Sequence, residues 1–147
     1  MTQPSAKAAL ARTPLYALHL GLGARMVPFA GYEMPVQFPS GILKEHLHTR
    51  AAAGLFDVSH MGQFELRAKG GNDVALALES VTPAGVLDLK PGRQRYTLLT
   101  NETGGVRDDL MIANLGDRFT LVANAAGKDA DETHLRAALS ENCAIER

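Results

Sequence analysis

The sequence predicts an α+β fold in which an antiparallel sheet carries flanking helices. Three observations predict it. From Gln63 onward the hydrophobic pattern reads strand, helix, three strands, helix and a closing strand. The connections around 101–105 and 115–117 are short, which favours hairpin pairing of the strands they join. The last helical stretch places Asp129, Asp131 and Glu132 near its positive N-terminal end, where acids are favourable. This order is close to a ferredoxin-like split βαβ unit with extra sheet.

Composition narrows the function classes. A chain of 147 residues that is 46% hydrophobic can build a core. A net charge of -1 gives no electrostatic case for nucleic acid or an anionic membrane surface. No apolar run approaches the roughly 18 residues of a bilayer span. Cys143 is the only cysteine, which excludes an internal disulfide and makes a reducing compartment the default. The first 32 residues contain no acid, a weak likeness to an organelle transit peptide. A disordered tail over residues 1–12 is the preferred reading.

Each element has a local reason. Thr13 followed by Pro14 predicts a helix N-cap and a short helix over 13–20, closed by Gly21 and Gly23. Residues 25–29 read as a strand. Residues 30–39 hold two prolines and two aromatics and read as an irregular, packed loop. Ser40 is expected to cap a helix reaching about Ala53, with Ile42, Leu43, His46 and Leu47 on one face and Gly54 ending it. Gln63 to Lys69 alternates as a strand. Asn72 or Asp73 starts a helix whose face is Val74, Leu78 and Val81. Strands are expected over 94–100, 106–114 and 118–124, then a helix over 127–139 and a strand from Ala144. Gly104 and Gly105 suit a turn that needs positive φ.

Several suggestive motifs carry no chemistry on their own. His46 and His48 do not share a helix face and lack a third ligand at metal spacing. Ser59 and His60 diverge in an extended segment, which excludes a nucleophile pair. Gly21-Leu22-Gly23 precedes a strand and lacks a third glycine, unlike a dinucleotide fingerprint. Cys143 reads as a small buried hydrophobe. Asp108 and Asp109 differ, because two acids opening a strand are unusual. Strand alternation points them to opposite faces, so a dyad is not expected: one meets solvent or a salt-bridge partner, and the other is aimed at something that needs fixed negative charge. Tyr96 reads as a half-buried strand aromatic and Asn124 as a strand-end or capping residue.

Longer motifs follow one another in order. They are Thr13-Pro14-Leu15-Tyr16, Phe29-Ala30-Gly31-Tyr32-Glu33-Met34-Pro35 and the run from Gly54 to Gly62. Gly104-Gly105-Val106-Arg107-Asp108-Asp109-Leu110 and Val122-Ala123-Asn124-Ala125 complete the set. Together they resemble the N-terminal part of the glycine cleavage system T proteins, the aminomethyltransferase family. The resemblance runs from residue 13 to the last residue.

That resemblance implies a three-domain cloverleaf around tetrahydrofolate, of which this chain is the N-terminal portion. Residues 13–53 are then the opening segment of a Greek-key, folate-binding β domain, and 54–147 a ferredoxin-like domain truncated at its C-terminal side. The implied reaction moves an aminomethyl group from the dihydrolipoyl arm of the H protein to tetrahydrofolate, releasing ammonia. Tetrahydrofolate is a co-substrate, and no metal is expected. Asp108 matches the catalytic aspartate beside folate N10, a carboxylate able to take a proton and stabilise developing positive charge. Met61, Tyr96 and Asn124 match folate-contacting positions, while Asp109 matches an acid with no comparable role. Such a piece is expected to be inactive alone. The expected partners are lipoylated H protein and folate, with no nucleic acid or membrane, in a bacterial cytoplasm or a mitochondrion. The alternatives are a folate-dependent demethylase of a methylated amine or sulfonium compound, and a non-catalytic folate-binding iron–sulfur assembly factor.

Overall fold

The computed structural model describes residues 9–147, so most of the expected N-terminal tail lies outside the described residues. The chain divides into two compact units, the first ending at His60 and the second beginning at Met61.

The first unit holds β1 (Ala11–Arg12), α1 (Tyr16–Gly21), β2 (Arg25–Phe29), β3 (Tyr32–Gln37) and α2 (Ile42–Ala51). Its sheet has the order β1-β3-β2, with β1 parallel and β2 antiparallel to β3. Ala11 and Arg12 are therefore not tail: they pair with Tyr32 and Glu33, and Arg12 is held by an ion pair to Glu33 at 2.7 Å.

The expected irregular loop at 30–39 is also corrected, because Tyr32–Gln37 is a strand. Ala30 and Gly31 both take positive φ, +46° and +82°, and turn β2 back onto β3 as a two-residue hairpin of the primed kind. Pro28 is tolerated because β2 is an edge strand. Pro35 lies beyond the two residues of β3 that β1 covers.

Capping differs from expectation in this unit. Thr13 does not cap α1; its hydroxyl donates to Asp57 instead. Gly41, not Ser40, is the N-cap of α2, at φ +83°, and the C-cap is Ala52, not Gly54. Gly54 is needed for close approach: a Cβ there would meet Thr49 Oγ1 at 2.7 Å and the Phe56 ring at 2.8 Å. The Ile42, Leu43 and Leu47 face of α2 is exposed, so it forms no core.

The second unit holds β4 (Gly62–Ala68), α3 (Val74–Glu79), β5 (Arg93–Thr100), β6 (Val106–Asn114), β7 (Phe119–Ala123), α4 (Lys128–Leu139) and β8 (Cys143–Glu146). Its sheet order is β5-β6-β7-β4-β8, antiparallel throughout. Without β5 the order is that of the ferredoxin-like split βαβ unit, so β5 is the extra edge strand the sequence pattern implied. Val74, Leu78 and Val81 are buried as expected, and Asp73 caps α3 by accepting from the amides of Ala75 and Leu76. Leu135 and Leu139 of α4 join them against Phe64, Leu66, Ile112 and Leu121 of the sheet. Cys143 lies inside this core, where burial pushes its thiol pKa up.

In the turn at 101–105 only Gly104 has positive φ, +80°. Gly105 is there for space, since a Cβ would strike the Asn101 side chain at 2.9 Å. Asn101 Oδ1 accepts from the amides of Thr103 and Gly105 and closes the turn.

Candidate active site

The turn delivers the chain into β6, and β6 opens with a register shift: Leu99 pairs with Asp108, but Thr100 pairs with Val106. A bulge at Arg107 thus re-aims the two acids that follow it. Beyond them alternation is regular, with Leu110 and Ile112 buried under the helices and Met111 on the other face.

At the strand start, however, the two carboxylates converge. Asn124, directly after β7, places Nδ2 2.8 Å from Asp108 Oδ1 and 2.8 Å from Asp109 Oδ1. Its position follows from register, since Leu110 pairs with Ala123 and Asp109 therefore lies level with Asn124. The expectation that the two acids serve separate surroundings is corrected: a single amide donates to both. The backbone amide of Asp109 also donates to Asp108 Oδ1, at 2.8 Å.

Tyr96, on the neighbouring strand β5, joins the cluster: its interaction with Asp109, then burial and the charges of Asp109 and Asp108, raise the phenol pKa. Its ring is 61% exposed, more open than the half-buried aromatic expected. Met61 is half-buried and precedes Gly62, the partner of Ala123, so it stands at the same end of the sheet as Asn124. All four sequence-selected residues, Met61, Tyr96, Asp108 and Asn124, thus come to one end or one face of the second unit's sheet.

One member was missed. Asp131, in the first turn of α4, is 4% exposed and stands beside Asp108. The sequence carried a signal for it. Asp131, Leu135 and Leu139 are spaced by four, which puts an acid on the buried stripe of the helix. Gly127, the N-cap of α4, lets both acids approach the helix: a Cβ there would collide with Asp108 Oδ2 and lie 3.2 Å from Asp131 Oδ2.

The two carboxyl groups respond in opposite directions. Burial alone would raise Asp108, but Asn124, the Asp109 amide and Asp131 together hold it below the usual carboxylate range. Proximity to the positive end of α4 works in the same sense. Burial, and then the charge of Asp108, push Asp131 up to about 6, against an opposing pull from Arg107.

The first unit has its own polar hub. Asp57 Oδ2 accepts from Thr13 Oγ1 at 2.9 Å and lies 2.8 Å from His19 Nε2. Its Oδ1 accepts from the Ser59 amide at 3.0 Å and from the Ser59 hydroxyl. His60 points elsewhere, with its ring against Phe29 and Tyr32. Ser59 and His60 diverge, as expected. The hub ties residues 54–60 to the first unit, whereas the resemblance implies a boundary after residue 53.

Comparison with known proteins shows the family and the fold. The family model described as the GCVT N-terminal domain matches residues 15–147. An aminomethyltransferase of Deinococcus deserti is 49% identical over 138 residues, covering 92% of this chain and 37% of that protein. A mitochondrial aminomethyltransferase of Dictyostelium discoideum is 47% identical over 132 residues, covering 90% of this chain and 32% of that protein. The crystal structure of glycine cleavage system aminomethyltransferase T from Bartonella henselae superposes with a TM-score of 0.84 at 43% identity, covering 92% of this chain and 37% of that one. The chain spans about a third of the length of the relatives it matches, and it belongs to the GCVT N-terminal domain family.

Proposed function

We propose that this chain supplies the proton-handling wall of a folate-dependent aminomethyltransferase, one that takes its one-carbon unit from the lipoylated H protein. The single observation that carries the reading is the Asn124 amide shared between Asp108 and Asp109 beside the exposed ring of Tyr96. A fixed anion next to an open aromatic surface suits a flat, nitrogen-rich co-substrate.

The residues present fit tetrahydrofolate along one wall. Tyr96, Leu98, Met111 and Val122 alternate with the buried positions of their strands, so they line the sheet face turned away from α3 and α4. That strip ends at Asp109 and Asn124. Met61, Tyr96 and Asn124 would hold the ligand, and Asp108 would face its reacting nitrogen. Tetrahydrofolate, when bound, supplies the nitrogens that take up the one-carbon unit.

This chain's own residues set charge and geometry. Asn124 and the Asp109 amide keep Asp108 ionised, so the carboxylate can accept a proton and stabilise positive charge close by. Tyr96 presents its exposed ring beside Asp109. The reading needs no metal and no nucleic-acid or membrane partner. Among the described residues no helix is long and apolar enough to cross a membrane. We place the reaction in a bacterial cytoplasm or a mitochondrion.

The test is single-turnover formation of methylenetetrahydrofolate from aminomethylated H protein. It is run with this chain alone and with this chain fused to the remaining two thirds of the Deinococcus deserti relative. The fusion is expected to turn over and the chain alone to be inactive. An inactive fusion that binds tetrahydrofolate and H protein normally would remove the aminomethyl-transfer reading.

A further inference from the structure

Asp131 is enclosed more tightly than a surface helix acid should be. It lies on the stripe of α4 that continues through Leu135 and Leu139, both fully buried. Its Oδ2 is buried and has no hydrogen-bond partner. It faces another acid, because the place a Gly127 Cβ would take lies against Asp108 Oδ2 and 3.2 Å from Asp131 Oδ2. A hydrogen bond between two carboxyl groups requires that one of them keep its proton.

The surroundings decide which one. Asp108 Oδ1 receives two N–H donors, from Asn124 and from the Asp109 backbone, and both favour the anion. The charges that reach Asp131 come from β6: Asp108, which favours its protonated form, and Arg107, which opposes it. Lys128 and His134 flank it three residues away on its own helix. A buried carboxyl facing a fixed carboxylate holds its proton more readily than a solvated one.

We propose that Asp131 is a positioning residue of the site, a neutral carboxylic acid that donates its proton to Asp108 in a hydrogen bond and fixes that carboxylate's orientation and charge. Its catalytic meaning rests on the role proposed for Asp108, whereas the shared proton does not. Asn124 grips Asp108 Oδ1 from the strand side, and Asp131 holds the same carboxylate from the helix side. Gly127 lets the two acids meet, because a side chain at that point would occupy the place of Asp108 Oδ2.

The experiment is a carboxyl carbon NMR titration of this chain with labelled aspartate, from pH 3 to pH 8. In the unmodified chain Asp131 is expected to titrate near pH 6, with the Asp108 carboxyl and the Asn124 side-chain amide shifting in the same transition. Asp131→Asn should leave Asp108 titrating in one lower step and abolish the Asn124 response near pH 6. Asp108→Asn should lower the Asp131 transition by about one pH unit or more. Titration of Asp131 in the ordinary carboxylate range, in the unmodified chain, overturns the proposal without reliance on any variant. In the fusion, Asp131→Asn should move the acid limb of the pH–rate profile while tetrahydrofolate affinity stays within about threefold. Inactivity of the unmodified fusion, with the titration as expected, removes the aminomethyl-transfer reading and leaves the carboxyl pair standing.

Discussion

Asn124 Nδ2 lies 2.8 Å from Asp108 Oδ1, joining the end of β7 to the start of β6 across sixteen residues of sequence. The same amide reaches Asp109, so two adjacent carboxylates share one neutral donor. That arrangement holds negative charge at the sheet end through a neutral amide.

Asp108→Asn in the fusion should lower turnover by roughly 10²-fold or more, the usual scale for loss of a positioned acid–base group. The amide keeps the shape but has neither the charge nor the basicity. Asp109→Asn should act on stability before rate, by about 1 kcal/mol, through its bond to Asn124. Single-turnover assays beside thermal melts separate the two. A slow Asp109→Asn enzyme beside a normal Asp108→Asn enzyme would reverse the assignment.

Asn124→Ala should destabilise the second unit by about 1–3 kcal/mol, because two half-buried carboxylates lose their common donor. Asn124→Asp should cost more, since it places a third acid against the other two. Denaturant unfolding of both variants at pH 7 measures this. The ranking should narrow at pH 4, where protonation relieves the repulsion.

Most of the second unit was legible in the sequence because its elements repeat simple periods. Val106–Asn114 alternates once past its first residues, and α3 carries a capping Asp73 ahead of Val74, Leu78 and Val81. The first unit was harder. Its β2–β3 hairpin turns on Ala30 at positive φ, which no alanine advertises, and its strands carry Pro28 and Pro35, which ordinarily argue against sheet. The site divides in the same way. Asp108 stands out as an acid opening a strand, but its meeting with Asn124 depends on register, and its meeting with Asp131 on how α4 packs. Nothing local marks either contact. Asp131 was visible as an acid near a helix start, where surface acids are ordinary, and only its four-residue spacing to Leu135 and Leu139 sets it apart.

Gly62→Ala should destabilise the fold by about 1–3 kcal/mol, the usual range for overpacking a tight site. A Cβ at this buried position in β4 would lie 2.7 Å from Lys128 Cβ and 3.3 Å from the Phe64 ring. Neither neighbour is a free side-chain tip, so β4 and α4 must separate slightly. A lower midpoint with an unchanged denaturant slope would show lost stability, not a changed fold. An unchanged midpoint would mean that the first turn of α4 yields without cost.

The acid dependence of stability should carry two opposing contributions, one from each unit. Burial works to raise the Asp57 carboxyl, but the Ser59 hydroxyl, His19, the Ser59 amide and Thr13 outweigh it and hold it well below the usual range. A carboxyl depressed in the folded state stabilises the protein above its unfolded pKa of about 4, and that stability is lost as pH falls further. Asp131 has the reverse sign. Raised to about 6, it favours folding while protonated in the native state, a contribution fully present below about pH 4 and lost as pH rises through about 6. Asp57→Asn should therefore lower stability at pH 7 by about 2–3 kcal/mol, the scale of hydrogen bonds to a charged group, and the deficit should shrink below pH 4. Asp131→Asn should instead flatten the slope of stability against pH between about 4 and 6. Melting temperatures of the three proteins at half-unit steps from pH 2.5 to 7.5 give both curves. A constant Asp57→Asn deficit across that range would mean that its ionisation contributes nothing, and that its hydrogen bonds survive equally well in the amide.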